Sequence, residues 1–91
     1  MVSQDILIIN RLGLHARAAA QLVRLANEYP CEIRIDKAGQ VSDAKSVMQV
    51  LMLGATDGTA LKVSADGERE EEALKAVVDL FAARFNELHQ E

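Results

Sequence analysis

Glu32-Ile33-Arg34-Ile35-Asp36-Lys37-Ala38-Gly39-Gln40-Val41 is the stretch whose pattern decides the fold. Polar and apolar residues alternate strictly from Glu32 to Asp36, so a period of two puts Ile33 and Ile35 on the inner face of a half-buried strand. Ala38-Gly39 supplies a short turn, and a brief strand through Val41 completes a hairpin. Upstream, Ala19, Leu22, Val23 and Ala26 recur at helical spacing. That helix stops before Pro30, whose ring disfavours a helical residue ahead of it. Asp5 to Ile9, rich in leucine and β-branched residues, precedes it as a strand. Downstream, Ser46 to Leu53 reads as a short helix ended by Gly54. Leu61, Val63 and Ala65 alternate with Lys62 and Ser64 as a fourth strand, and Leu74, Val77, Val78 and Phe81 mark one face of a long C-terminal helix. The order is β-α-β-β-α-β-α. An amphipathic sheet needs one face covered, and the helices supply the cover. The sequence predicts an α/β (α+β) open-faced β-sandwich, a four-stranded antiparallel or mixed sheet with helices packed on one face.

The 91 residues fit one domain, 1–91, with 49% hydrophobic and 26% charged residues, an ordinary globular composition. No apolar run approaches the 18 or so residues that span a bilayer. The opening Met1-Val2-Ser3-Gln4-Asp5 lacks the basic and apolar regions of a secretory signal. A single cysteine, Cys31, cannot form an internal disulfide, which makes a reducing cytoplasm the natural compartment. Two histidines and one cysteine are too few soft ligands for a self-contained zinc site, and neither metal nor cofactor is expected. A net charge of −4 with three aromatic residues argues against nucleic-acid binding. The charge is uneven. Six acidic and seven basic residues lie up to Ser64, against eight acidic and three basic from Ala65 onward. The acidity thus belongs to the C-terminal segment, read as a solvated helix face. His89 is read as a tail residue with no role, and Cys31 as packing at the start of the second strand.

Chemistry concentrates in Gly13-Leu14-His15-Ala16-Arg17, between the first strand and the first helix. Gly13 permits a turn that a side chain would resist. His15 falls at the helix N-terminus, where the first-turn N–H groups and the dipole favour an anion. A neutral imidazole beside such donors suits a nucleophile that accepts a phosphoryl group, and Arg17 adds a charge with bidentate geometry for phosphate oxygens. A histidine at a helix start is more often a surface residue or a modest cap, and these local features alone leave both readings open.

Gly13-Leu14-His15-Ala16-Arg17-Ala18-Ala19-Ala20 resembles the active-site segment of the HPr family, the histidine-containing phosphocarriers of the bacterial phosphoenolpyruvate:sugar phosphotransferase system. The family's second signature resembles Lys45-Ser46-Val47-Met48-Gln49-Val50-Leu51-Met52-Leu53-Gly54, and the likeness extends over essentially the whole chain. It implies that His15 is phosphorylated on Nδ1 by the phosphorylated first enzyme of the system. The group then passes to a histidine on an IIA domain of a permease, with Arg17 assisting both transfers. Such a protein is a stoichiometric carrier, not a turnover enzyme, and transient docking fits a monomer. Ala18 stands where the family often has proline, which implies a small loss of rigidity in the site and no loss of function. A carrier of the nitrogen-related branch, or a mainly regulatory module acting through Ser46, are the alternatives.

Ser46 and Gln49 form a capping-box pattern, and a preferred N-cap alone accounts for the serine. The resemblance adds regulatory phosphorylation there by a serine kinase, reversed by its phosphorylase. Val50 and Leu53 share a face suited to the core, which leaves Val47, Met48 and Leu51 with less obvious reason to be apolar. Ordinary core filling by Met48 competes with a docking surface next to His15. The resemblance favours docking, together with Ala20, small enough to let a partner approach.

Overall fold

The computed structural model describes residues 1–86, and the expectation for His89 lies outside them. In chain order the elements are β1 (Val2–Leu7), α1 (Ala16–Ala26), β2 (Glu32–Lys37), β3 (Gln40–Asp43), α2 (Val47–Met52), β4 (Ala60–Asp66) and α3 (Glu70–Ala82), followed by a 3-10 turn at Arg84–Asn86. The strands form one sheet in the order β1-β4-β2-β3, and every neighbouring pair is antiparallel. This narrows the expected antiparallel or mixed sheet to the first. The hairpin turns at Ala38 and Gly39, both in the left-handed region (φ 50° and 94°), the backbone twist that suits a two-residue connection. Asp36 Oδ1 accepts from the Gly39 N–H at 2.8 Å and holds the turn closed.

Alternation places Ile33 and Ile35 of β2 and Leu61, Val63 and Ala65 of β4 in the core. Ala18, Ala19, Leu22 and Ala26 of α1 and Ala73, Val77 and Phe81 of α3 cover that face. Val23, Leu74 and Leu80 pack against the same core from half-buried positions. The predicted elements are all present, with shifted ends. The first strand was expected over Asp5 to Ile9 and runs over Val2–Leu7. Its sheet pairing ends at Leu7↔Ala60. Beyond that point the backbone turns to the loop before β4: the Ile8 N–H donates to the Thr59 carbonyl at 2.9 Å, and the Gly58 N–H to the Ile8 carbonyl at 2.8 Å.

Past α3 the chain doubles back. Arg84 and Phe85 both take left-handed φ (56° and 51°), which returns the Phe85 ring to the core. There it meets Phe81 edge-on at a centroid distance of 4.9 Å, a favoured aromatic geometry. Gln21 of α1 donates to the Phe85 carbonyl at 3.1 Å and ties this return to the helix that carries the site.

The acidic segment begins α3 with Glu70, Glu71 and Glu72, carboxylates at the positive end of the helix dipole. Glu70 Oε1 accepts from the Gly67 N–H at 2.9 Å, and the Met1 ammonium lies 3.3 Å from Glu70 Oε2. The Gly67 bond first, and the ammonium second, hold the Glu70 carboxyl below the usual carboxylate range. Its folded-state value lies under its unfolded one, so its contribution is complete above the unfolded value and is lost as pH falls through the folded one. The thermal midpoint should therefore decline as pH is lowered below the usual carboxylate range, and Glu70→Gln should make that decline shallower. Melting curves across this window test it. An equal slope in both proteins would contradict the assignment.

Candidate functional site

Between β1 and α1 the chain is strapped down from both sides. Asn10 Nδ2 donates to the Gly13 carbonyl at 2.7 Å, and the Gly13 N–H returns to the Asn10 carbonyl at 3.2 Å. The Leu14 N–H then donates to the Ala55 carbonyl at 3.0 Å while the Leu14 side chain enters the core. Gly13 has φ 65° and lies directly against the Ala55–Thr56 backbone, which is why no side chain fits there. His15 follows at once. It is the N-cap of α1, extended at φ −79° and ψ 179°, and its carbonyl receives the first helical bond from the Ala19 N–H at 2.8 Å. The imidazole is half-buried and makes no side-chain cap bond.

The two long helices begin in opposite ways. α3 carries three glutamates in its first turn, whereas α1 carries no acidic residue there. The N–H groups of Ala16, Arg17 and Ala18 have no acceptor within the helix. An anion brought to this terminus meets those donors, the dipole and the exposed Arg17 guanidinium, and the first turn of α1 itself carries no carboxylate. Ala18 is fully buried, and the helix begins at Ala16 without the family's proline. Ala16, Arg17, Ala20 and Arg24 form the outward face of α1.

α2 packs against α1 and β3. Its end runs through Gly54 into Ala55 and Thr56, whose backbone braces the Gly13-Leu14 strap. At its start Lys45 Nζ donates to the Tyr29 carbonyl, beyond the far end of α1, at 2.6 Å. The two helices are thus antiparallel neighbours, and Ser46 lies at the opposite end of α2 from the histidine strap. Ser46 Oγ accepts from the Gln49 N–H at 3.3 Å, as a cap should. The reciprocal half of the expected box is different: Gln49 Oε1 accepts from the Asp43 N–H at 2.9 Å instead of from Ser46. The Ser46 N–H is already used by the Asp43 carbonyl at 3.1 Å, so the glutamine pins the end of β3.

Val50 and Leu53 are buried, while Val47, Met48 and Leu51 are exposed, Met48 at 68%. Two further large apolar residues near the site in sequence are also exposed, Leu12 at 51% on the strap and Met52 at 67% on α2. Met52 falls outside a simple two-face reading of a helix this short, and Leu12 has no periodic neighbours. Asn10, 1% exposed, carries no periodic pattern either. Its only signal was an asparagine three residues ahead of a glycine, a common turn former. Among the described residues no group of three or more acidic, histidine or cysteine side chains could hold a metal ion, and no helix is long and apolar enough to cross a membrane.

An open-faced α+β fold in which a histidine heads a helix with no acidic residue in its first turn defines a small domain whose exposed helix start is suited to an anionic group. Comparison with known proteins gives the particular family. A family model described as the PTS HPr component phosphorylation site matches residues 2–83. The chain is 49% identical over 88 residues to phosphocarrier protein HPr of Pseudomonas aeruginosa, covering 96% of this chain and 98% of that protein. It is also 41% identical over 87 residues to phosphocarrier protein NPr of Klebsiella oxytoca, with 94% and 97% covered. The crystal structure of an HPr from Thermoanaerobacter tengcongensis superposes with a TM-score of 0.92 at 42% identity, over 94% of this chain and 97% of that one. A structure of an HPr dimer from that organism gives 0.75 at 42% identity, over 93% and 98%. The chain belongs to the HPr family and is a phosphocarrier of the phosphotransferase system.

Proposed function

We propose that residues 1–91 act as one cytoplasmic, monomeric phosphocarrier domain that accepts a phosphoryl group on His15 and gives it away again, with no metal or cofactor. The donor is the phosphorylated first enzyme of the system and the acceptors are IIA domains of permeases. In each step the phosphorus–nitrogen bond to the outgoing histidine breaks as the bond to the incoming one forms, so the phosphoryl group moves with no redox partner. The observation that carries this reading is the acid-free N-terminus of α1 with His15 as its N-cap. A bound phosphoryl adds roughly two negative charges there, which the helix terminus and Arg17 offset in part. His15 is only half-buried at an exposed helix start, so the group is stabilised without being caged. Ala20 leaves room for a partner, and the exposed Val47, Met48 and Leu51 of α2 offer it an apolar surface. Mixing the protein with phosphoenolpyruvate and the first enzyme should load one phosphoryl group per chain, and adding an IIA domain should drain it. A chain that takes no label sinks the proposal.

Phosphorylation of Ser46 by a serine kinase is the proposed regulation. Ser46 caps the end of α2 opposite the histidine strap, so a phosphate there acts on docking and not on the imidazole directly. Ser46→Asp keeps an N-cap acceptor and adds negative charge at a favourable helix end. It should slow phosphoryl uptake by His15 several-fold through weaker docking while the melting temperature stays within a few degrees of wild type. A large stability loss at an unchanged uptake rate would reduce Ser46 to a cap. The NPr relative supports a second reading, service in the nitrogen branch, which uses the same acceptor and differs only in partners.

A further inference from the structure

Ile6, Ile8 and Asn10 occupy successive inward positions of the first strand and its continuation, half-buried, buried and buried. An apolar residue at 10 would continue this pattern, and asparagine is seldom so completely enclosed. What the amide does there is specific. Gly13 must lack a side chain because the Ala55 carbonyl and Thr56 Cα press against it, yet a glycine is also where a peptide plane turns over most easily. The 2.7 Å bond from Asn10 Nδ2 holds the Gly13 carbonyl, and so fixes the plane of the Gly13–Leu14 peptide. That plane aims the Leu14 N–H at Ala55, and His15 is the next residue.

We propose that Asn10 is a positioning residue for phosphoryl transfer, locking the one flexible peptide of the strap so that the His15 imidazole stays aligned for attack. The inference rests on His15 being the acceptor. In-line transfer between two histidines is sensitive to small misplacement, where an error near 1 Å can cost about 100-fold in rate. The docking residues of α1 and α2 do not contact Asn10 through this bond, so removing the amide should lower the maximal rate without changing the concentration dependence.

The test uses single-turnover transfer from an excess of phosphorylated first enzyme, over a range of donor concentrations, well below each variant's melting temperature. Asn10→Ala should lower the maximal rate about 10-fold or more at an unchanged half-saturation concentration. Amide exchange at Leu14 should accelerate while the amides of β2 and β4 keep their protection. Asn10→Ser, which retains a donor, should recover part of the rate. If Asn10→Ala does not fold, the same comparison is read on Asn10→Leu, which fills the inward position and carries no donor. A maximal rate equal to wild type in the folded variant, or a loss that appears only in half-saturation, overturns the proposal. Failure of wild type itself to accept the group removes the carrier reading and this inference with it. A labelled wild type beside an equally fast variant removes this inference alone.

Discussion

Gly13→Ala should destabilise the protein by about 3 kcal/mol and slow phosphoryl uptake sharply in whatever fraction remains folded. Two penalties combine. A Cβ on Gly13 would sit 2.5 Å from the Ala55 carbonyl oxygen and 2.8 Å from Thr56 Cα, both backbone atoms. The residue also holds φ 65°, a region that costs a side chain about 1 kcal/mol or more. Relief requires the strap to lift, which breaks the Leu14–Ala55 bond and moves His15 with it. A domain of this size loses several degrees per kcal/mol, so the melting temperature should fall by roughly 15 °C. Gly54→Ala is the control. Gly54 has φ 61° but no atom within 4 Å of its Cβ position, so only the backbone penalty of about 1 kcal/mol applies. Equal melting temperatures for the two variants would show that the strap yields easily, against the account given for it.

His15→Ala should abolish uptake while leaving the fold intact. The imidazole is half-buried at the margin of the core and does not cap α1 through its side chain, so the stability change should stay within about 1 kcal/mol. The helix terminus, Arg17 and the apolar surface all remain. A variant that docks as well as wild type but takes no phosphoryl group would separate the acceptor from the surface that presents it. Residual labelling at the wild-type rate would place the acceptor elsewhere.

Much of this architecture is legible in the residues because the signals are periodic. Ile33 and Ile35 alternate, Leu22 and Ala26 recur a turn apart, and packing follows. Strand order is another matter: pairing β4 between β1 and β2 depends on long-range contacts that no local pattern encodes. The end of β1 was misplaced because Ile8 and Ile9 look like strand, yet the Ile8 hydrogen bonds have already left the sheet for the loop before β4. The return of Phe85 was hidden by its two left-handed residues, Arg84 and Phe85, neither a type that advertises such a turn. At the site, Gly13, His15, Arg17 and Ser46 stand out by residue type and spacing. Asn10 and Leu12 do not, because a polar residue in a connection reads as solvated and a lone leucine as incidental. The division of α2 into buried Val50 and Leu53 against exposed Met48 and Met52 needs the neighbouring helix to define it.

The most direct measurement is nitrogen and phosphorus NMR of the protein after reaction with phosphoenolpyruvate and the first enzyme. The account predicts a phosphoryl group bonded to Nδ1 of His15, lost in acid, stable in alkali and absent from His15→Ala. A phosphoryl group on His89, or an acid-stable one on a hydroxyl such as Ser46, would contradict it.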